Sequence, residues 1–208
     1  MYVPTINLFA DKTEIVAFMR RFNFATIITA TDHLPTATHL PFVISEHNAN
    51  NTLILAAHFA KNNPQYRDIE QGNPVLVVFS EPHAYISPEH YEKKLNVPTW
   101  NYIAVHAYGR GRIIDQYRDV MALLEASIDF FDPSYHQQWQ SLPETYKANM
   151  AKGIVAFEIV VTDLQAKKKL SQNKTPAEQQ HIITALSDSP NGNEQLIAEY
   201  MRQNKPDK

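Results

Sequence analysis

The clearest pattern in the chain is an alternation of side chains over residues 97–109. One set of alternate positions carries aromatic and hydrogen-bonding groups: Trp100, Tyr102, His106 and Tyr108. The other set is aliphatic: Ile103, Val105 and Ala107. Because successive side chains of a strand point to opposite faces, the pattern predicts a strand over 100–114 with a buried aliphatic face. Its aromatic face suits a planar ligand or a subunit contact, and equally the cover of a sheet edge.

Further segments rich in β-branched or aromatic residues predict more strands. They are residues 24–30, 36–44, 52–57, 74–80 and 154–161, with an extended piece in PHAYISP that ends in a Ser-Pro turn. The segment 154–161 is nearly all apolar, which predicts that both of its faces are covered. These strands lack a regular alternation with helices. They therefore favour a small barrel with attached helices, an α+β fold that is mainly β.

Capping residues mark most of the predicted helices. Helices are expected at residues 12–22, 62–72, 116–131, 175–186 and 194–203. The first begins after Asp11 with Glu14 at the capping-box position, and the fourth begins with the capping box Thr175-Pro176-Ala177-Glu178. No internal repeat is seen. We expect one domain over residues 1–208 with a helical tail at about 175–204.

Composition narrows the function classes. The 208 residues, 44% hydrophobic and 20% charged, are typical of a globular protein. The net charge of −3 argues against a strongly basic nucleic-acid surface. The chain has no cysteine, which excludes disulfides and thiolate chemistry. Its first residues lack the basic start and apolar run of a signal peptide, and no stretch is apolar enough to span a membrane, so a cytoplasmic location is expected.

Motifs for known chemistry are few. No glycine-rich phosphate loop is present, and Gly109-Arg110-Gly111 falls inside a predicted strand. A phosphate would then need a helix N-terminus, and Lys61 followed by the N–H groups of residues 63–65 offers one. The nine histidines show no metal-binding spacing, so no metal site is predicted, whereas haem ligation stays open. His39 and His106 are the candidates for proton transfer.

Three lysines in succession, Lys167 to Lys169, predict a solvated turn after the last strand. Small polar residues follow them in Ser171-Gln172-Asn173. These groups could hydrogen-bond the polar edge of a heterocycle, or they could satisfy the backbone of their own loop.

Several motifs in a fixed order resemble one known family. They are MYVP, ATHLPF, HFAKNNPQ, PHAYISP, VPTWNY, AVHAYG and KLSQN. Together they span about residues 1–186 and resemble the PaiB-type family of FMN-binding negative transcriptional regulators. The resemblance implies a split β-barrel of the pyridoxamine phosphate oxidase-like superfamily. It also implies a homodimer with FMN in the groove between subunits.

The same resemblance implies which residues meet FMN. Thr38, His39 and Leu40 would run beside the polar edge of the isoalloxazine ring, and Lys61 and Asn62 would face the phosphate. Near the dimer groove would lie Trp100, Asn101 and Tyr102. The segment that would reach the flavin from the partner subunit comprises Lys169, Leu170, Ser171, Gln172 and Asn173.

Two positions depart from the family pattern. Ala60 precedes Lys61 where the superfamily often has an arginine. This predicts weaker phosphate binding, because lysine cannot supply the bidentate fork of arginine. Residues 165–168 read QAKK where the family usually has a glycine and a tryptophan, so an aromatic wall over the flavin from this segment is not expected.

The functional expectation is an FMN-binding dimer with weak reductase or oxidase activity, because a flavin carries the redox chemistry itself. Transcriptional regulation, as the family name implies, would be indirect, since no helix-turn-helix is evident. Two alternatives remain: a split barrel that binds or degrades haem, and a dimer without a cofactor.

Overall fold

A computed structural model describes residues 1–31, 33–47 and 52–204. The chain divides into two compact units. Unit 1 contains the described residues of Met1–Ile15, Ser80–Val105 and Gln165–Lys208. Unit 2 contains those of Val16–Phe79 and His106–Leu164.

The described residues form eight strands and seven α-helices. The strands are β1 (Phe24–Thr31), β2 (Leu34–Pro41), β3 (Val43–His47), β4 (Thr52–Ala60), β5 (Pro74–Phe79), β6 (His83–Ile86), β7 (Thr99–Ile114) and β8 (Ile154–Lys169). The helices are α1 (Lys12–Arg21), α2 (Tyr66–Glu70), α3 (Tyr117–Phe131), α4 (His136–Ser141), α5 (Glu144–Ala151), α6 (Pro176–Ser187) and α7 (Gly192–Gln203). Short 3₁₀ turns occur at Thr5–Asn7, Pro88–His90 and Pro133–Tyr135.

In unit 2 the strand order is β2-β1-β5-β7-β8-β4-β3, and β2 and β3 are the two ends of this path. The pairings β1–β2, β1–β5, β3–β4 and β4–β8 are all antiparallel. Aromatic side chains fill the interior, with the ring centres of Phe59 and Phe157 4.6 Å apart. Burial of such rings is a main source of stability for the unit.

In unit 1, β6 pairs antiparallel with the first residues of β7. Helices α6 and α7 pack on each other through buried aliphatic side chains such as Ile182 and Ile197. Thr175 Oγ1 accepts a hydrogen bond from the N–H of Glu178 at 3.2 Å, which confirms the predicted capping box. No helix among the described residues is long and apolar enough to cross a membrane.

The alternation on β7 is confirmed. Ile103, Val105 and Ala107 are fully buried, whereas Trp100 is 51% exposed. The predicted strand over 36–44 is two strands, because Phe42 between β2 and β3 turns into the core and its N–H donates to the carbonyl of Asn23 at 3.0 Å. The prediction of both faces covered holds for residues 155–157 of β8, but Val160 is partly exposed.

The predicted turn at the three lysines is wrong, because β8 continues through Lys169. Lys167 is buried along its stem, and its Nζ lies 5.2 Å from the ring centre of Tyr102. Lys168 forms an ion pair with Glu14 at 2.6 Å. Lysine stems can cover apolar surface while their charged ends find partners, so a lysine run can belong to a strand.

The predicted helix over 62–72 is much shorter, since α2 covers Tyr66–Glu70 alone. Asn63 does not cap a helix that begins at Pro64. Its Oδ1 instead accepts a hydrogen bond from the N–H of Gln65 at 3.0 Å, which closes a turn before α2. Helices α4 and α5 were not predicted.

Candidate functional site

Gln65 organises a hydrogen-bond network beside β2 in unit 2. It is 2% exposed, and its Nε2 donates to the carbonyl of Thr36 at 3.0 Å. Its Oε1 accepts from Thr38 Oγ1 at 2.6 Å, and Asn63 Nδ2 donates to the same hydroxyl at 3.0 Å. These bonds hold the 61–65 turn against β2. The network thereby brings the predicted residues 38–40 close to the predicted residues 61 and 62, although the two groups are distant in sequence. Gln65 itself was not predicted as a site residue.

The strand that carries Thr38, His39 and Leu40 lies at the end of the sheet path. It pairs with β1, with His39 opposite Thr26, and no second strand pairs with it among the described residues. An unpaired strand edge presents N–H and C=O groups to a ligand. His39 is exposed and stacks on Phe24 with ring centres 6.4 Å apart. This edge has the donors and acceptors that the polar edge of a flavin ring requires.

The backbone N–H groups expected to bind a phosphate are already used. The N–H of Lys61 donates to the carbonyl of Gly153 at 2.8 Å, and that of Asn63 donates to Ala60 at 2.9 Å. The N–H of Gln65 is bound by Asn63, and proline at position 64 has none. The prediction of a phosphate site at these N–H groups is therefore wrong, and any phosphate contact here falls to side chains.

The side chain of Lys61 is exposed, and its Nζ lies 5.2 Å from the ring centre of Tyr66. It lines a cavity of about 370 Å³ that Lys152 and Asp115 also line. Lys152 was missed because it lies far from Lys61 in sequence. The pairing of β4 with β8 and the hydrogen bond between Lys61 and Gly153 bring the two segments together. Two ammonium groups against one carboxylate leave this cavity suited to an anion.

Trp100 and its neighbours in unit 1 form an exposed aromatic group. Its ring centre lies 5.9 Å from that of His83 and 5.8 Å from that of Tyr85, and both partners are on β6. Tyr102 is half-buried on the same face of β7. A planar ring system or a second subunit would cover this group favourably.

Asn101 and Ser171 form a buried polar pair in unit 1. Ser171 Oγ donates to Asn101 Oδ1 at 3.0 Å, and Asn101 Nδ2 lies 3.5 Å from Met201 Sδ, a weak acceptor. Ser171 has a φ of 60°, which is uncommon for a residue other than glycine. Such backbone strain clusters at functional sites.

The predicted segment from Lys169 to Asn173 is divided in its roles. The N–H of Leu170 donates to Gln172 Oε1 at 2.7 Å, and Gln172 Nε2 donates to the carbonyl of Lys168 at 2.6 Å. Gln172 thus satisfies its own loop. A cavity of about 250 Å³ brings together the other predicted residues, Asn101, Lys169, Ser171 and Asn173.

Burial disfavours the charged form of two histidines in unit 2. Burial lowers the pKa of His58 and also the pKa of His106 below the ordinary value for histidine. Nδ1 of His106 is buried and has no hydrogen-bond partner among the described residues. Protonation of either ring in the folded protein is therefore unfavourable.

Acidification from about pH 7 to 5.5 is expected to lower the free energy of unfolding. The unfolded chain binds protons on His58 and His106 near their ordinary pKa, whereas the folded chain binds them only at lower pH. Stability contributed by the neutral rings is complete above the unfolded pKa and is lost as pH falls toward the folded one. Urea unfolding at several pH values measures the slope. The variant His58→Gln/His106→Gln should show a flatter slope, and a slope equal to that of the unmodified chain would contradict the assignment.

Solved structures of low sequence identity share the fold. The chain has a TM-score of 0.60 and 15% identity to the FAD and heme binding protein from Mycobacterium smegmatis, covering 76% of this chain and 71% of that one. It has a TM-score of 0.59 and 13% identity to the flavocytochrome Anf3 from Azotobacter vinelandii, covering 76% and 67%. The fold is that of a split β-barrel, as the resemblance implied.

Sequence comparison identifies the family. Residues 1–163 match a family model described as "Putative FMN-binding domain". Over 205 residues the chain is 37% identical to the "Protease synthase and sporulation protein PAI 2" of Bacillus subtilis (strain 168), covering 97% of this chain and 96% of that protein. The chain belongs to this PaiB-type family of FMN-binding domains, and its cofactor is FMN.

Proposed function

We propose that the chain is an FMN-dependent redox protein that acts as a homodimer. The observation that supports this most directly is the free edge of β2 joined to the Lys61 turn through Asn63 and Thr38, whose side chains are 3.0 Å apart. The residues present fit FMN, because a strand edge with free donors and acceptors adjoins a turn that carries exposed amine and amide groups. FMN supplies the electron transfer when bound, and the protein binds and orients it.

The backbone of Thr38, His39 and Leu40 is proposed to hydrogen-bond the polar edge of the flavin ring. The exposed imidazole of His39 lies beside this edge, and its ring nitrogens can donate or accept a hydrogen bond there. Gln65 acts through Thr38 as a positioning residue, because its buried amide holds the strand and the turn together.

The phosphate group is proposed to lie against Lys61 and Asn62. Lys152 lines the same cavity as Lys61 and supplies a second positive charge. The positive charge of Lys152 partly compensates for the alanine at position 60, where the superfamily often has an arginine. Lysine provides a point charge and no bidentate fork, so binding is expected to depend on charge more than on geometry.

Homodimer formation is supported by the exposed aromatic group around Trp100. Exposed apolar patches of this kind usually mark interaction surfaces. As the resemblance implies, Trp100, Asn101 and Tyr102 are proposed to lie near the dimer groove. The partner subunit is proposed to contribute the segment from Lys169 to Asn173 to the flavin site. Sedimentation of the FMN-loaded protein measures the oligomeric state.

A fluorescence titration with FMN and with riboflavin tests the proposed function. The purified chain is expected to bind FMN at least tenfold more tightly than riboflavin, because one charge-assisted hydrogen bond to the phosphate contributes about 1.5–3 kcal/mol. Equal affinity for FMN and riboflavin would contradict the proposed contacts of Lys61 and Asn62 with the phosphate. Failure to bind either ligand would overturn the FMN-dependent function.

Regulation of transcription is a second candidate. It is favoured by the name of the Bacillus subtilis relative, "Protease synthase and sporulation protein PAI 2". Direct binding of DNA is not proposed, because the lysine run of β8 is engaged within unit 1: Lys167 is buried and Lys168 is paired with Glu14. A specific gel shift at physiological salt that weakens steeply as salt rises would overturn this view.

A further inference from the structure

A polar cavity in unit 1 has more positive charge than its own side chains neutralise. The cavity, of about 250 Å³, is lined by two lysines, Lys169 and Lys174, and by no carboxylate. Lys174 Nζ donates to Asn96 Oδ1 at 2.9 Å, and Lys169 Nζ donates to the hydroxyl of Thr99. Among the described residues neither lysine has an acidic partner within ion-pair distance. Each ammonium has three protons, so both retain donors for a ligand.

Tyr91 also lines this cavity, and its ring holds one of the two lysines in place. Tyr91 is 8% exposed, and its OH forms no hydrogen bond among the described residues. Burial raises the pKa of Tyr91, with further contributions from Glu178 and Tyr85, so the phenol keeps its proton. The face of its ring lies 3.5 Å from Lys174 Nζ, which holds that ammonium in place.

The rest of the wall is preorganised. Asn101 is fully buried and bound to Ser171, whose positive φ is a strained conformation. The carbonyl of Ser171 accepts from the N–H of Lys174 at 3.0 Å, and this bond closes the turn between the two cavity-lining lysines. Donors fixed in advance bind an anion with little loss of side-chain entropy.

The size of the cavity limits its ligand. Pockets that enclose drug-sized ligands measure about 300–1,000 Å³, so this one is too small to enclose FMN. We propose that the cavity binds a small oxyanion-bearing molecule, through a phosphate or carboxylate group, as a second ligand beside the FMN that residues 169–173 are proposed to reach, so this inference rests on the proposed function. Lys169 and Lys174 would provide the charge, and Asn173 would provide a neutral hydrogen-bonding group.

Calorimetric titration of the full chain tests this proposal, with inorganic phosphate and succinate as separate probes at constant ionic strength. We expect saturable binding of at least one probe. Lys174→Gln and Lys169→Gln should each weaken it about tenfold, because each removes a charge-assisted contact. Lys93→Gln, at an exposed lysine outside the cavity, is the matched control and should leave binding unchanged. A response to phosphate alone identifies a phosphate-bearing ligand, and a response to succinate identifies a carboxylate.

Three outcomes would overturn the proposal. The first is no saturable binding of either probe. The second is binding that survives both lysine substitutions while the variants unfold at the same urea concentration as the unmodified chain. The third is loss of phosphate binding in the presence of FMN but not of riboflavin, because the cavity would then hold the phosphate of FMN. Anion binding by a chain that fails to bind FMN would separate this proposal from the proposed function.

Discussion

The preference for FMN over riboflavin is expected to fall to nearly one when Lys61 and Lys152 are both replaced by alanine. The two ammonium groups line one cavity, and riboflavin lacks the phosphate that they are proposed to meet. A hydrogen bond to a charged group contributes about 1.5–3 kcal/mol, and the exposure of both lysines favours the lower end of that range. We therefore expect about a tenfold loss of FMN affinity for each lysine and little change for riboflavin.

Fluorescence titration of the single and double variants measures this effect, with Lys93→Ala as the control at an exposed lysine. Additive losses would indicate two independent contacts, and a coupling would indicate that both lysines bind the same oxygen atoms. An unchanged preference in the double variant would contradict the assignment of the phosphate to this cavity. Loss of the preference for FMN in the Lys169→Gln variant would instead assign the phosphate to the cavity in unit 1.

Alanine at position 109 is expected to destabilise the fold by about 3 kcal/mol, a large effect for one methyl group. A Cβ on Gly109 would meet the carbonyl oxygen of Val160 and would lie 2.8 Å from Cγ2 of Ile159. The carbonyl belongs to the backbone of β8, which the pairing with β4 holds in place. Strand β8 cannot shift away from β7 without losing hydrogen bonds to β4, so the added methyl group has no free space.

Urea unfolding measures the loss, and Gly192→Ala is the matched control. Nothing lies within 4 Å of a Cβ at Gly192, which is the first residue of α7. Alanine there is expected to be neutral or to stabilise by up to about 1 kcal/mol, since it restricts the unfolded chain. Equal stability of the Gly109 and Gly192 variants would show that β8 can move away from β7.

The main elements of the fold were predictable because their signals are local. The alternation on β7 follows from the two-residue period of a strand, and the capping box at Thr175 follows from hydrogen bonds within four residues. The strand character of the lysine run was not predictable. Lysine usually marks solvent, and only tertiary partners such as Glu14 and Tyr102 reveal that these side chains are satisfied.

Several residues of the candidate site were predictable from the sequence, but their hydrogen-bond partners were not. Lys61 was found from its place before a predicted helix N-terminus. The neighbouring N–H groups donate instead to Gly153, Ala60 and Asn63, which depends on segments distant in sequence or on local turn geometry. Gln65 carries no local signal for its role. Its importance arises because a buried amide must satisfy all of its hydrogen bonds, and β2 supplies the partners.

The sequence by itself determined the family, the cofactor and the order of most strands and helices, because motifs and periodicity are written in consecutive residues. Tertiary structure alone decided which groups remain available to ligands. In the folded chain the backbone N–H groups of Asn63 and Gln65 are already hydrogen-bonded, Lys152 lines the same cavity as Lys61, and Lys174 lies beside Tyr91. The physical reason is that a donor can bind a ligand only if the folded chain does not already satisfy it, and that depends on residues far apart in sequence.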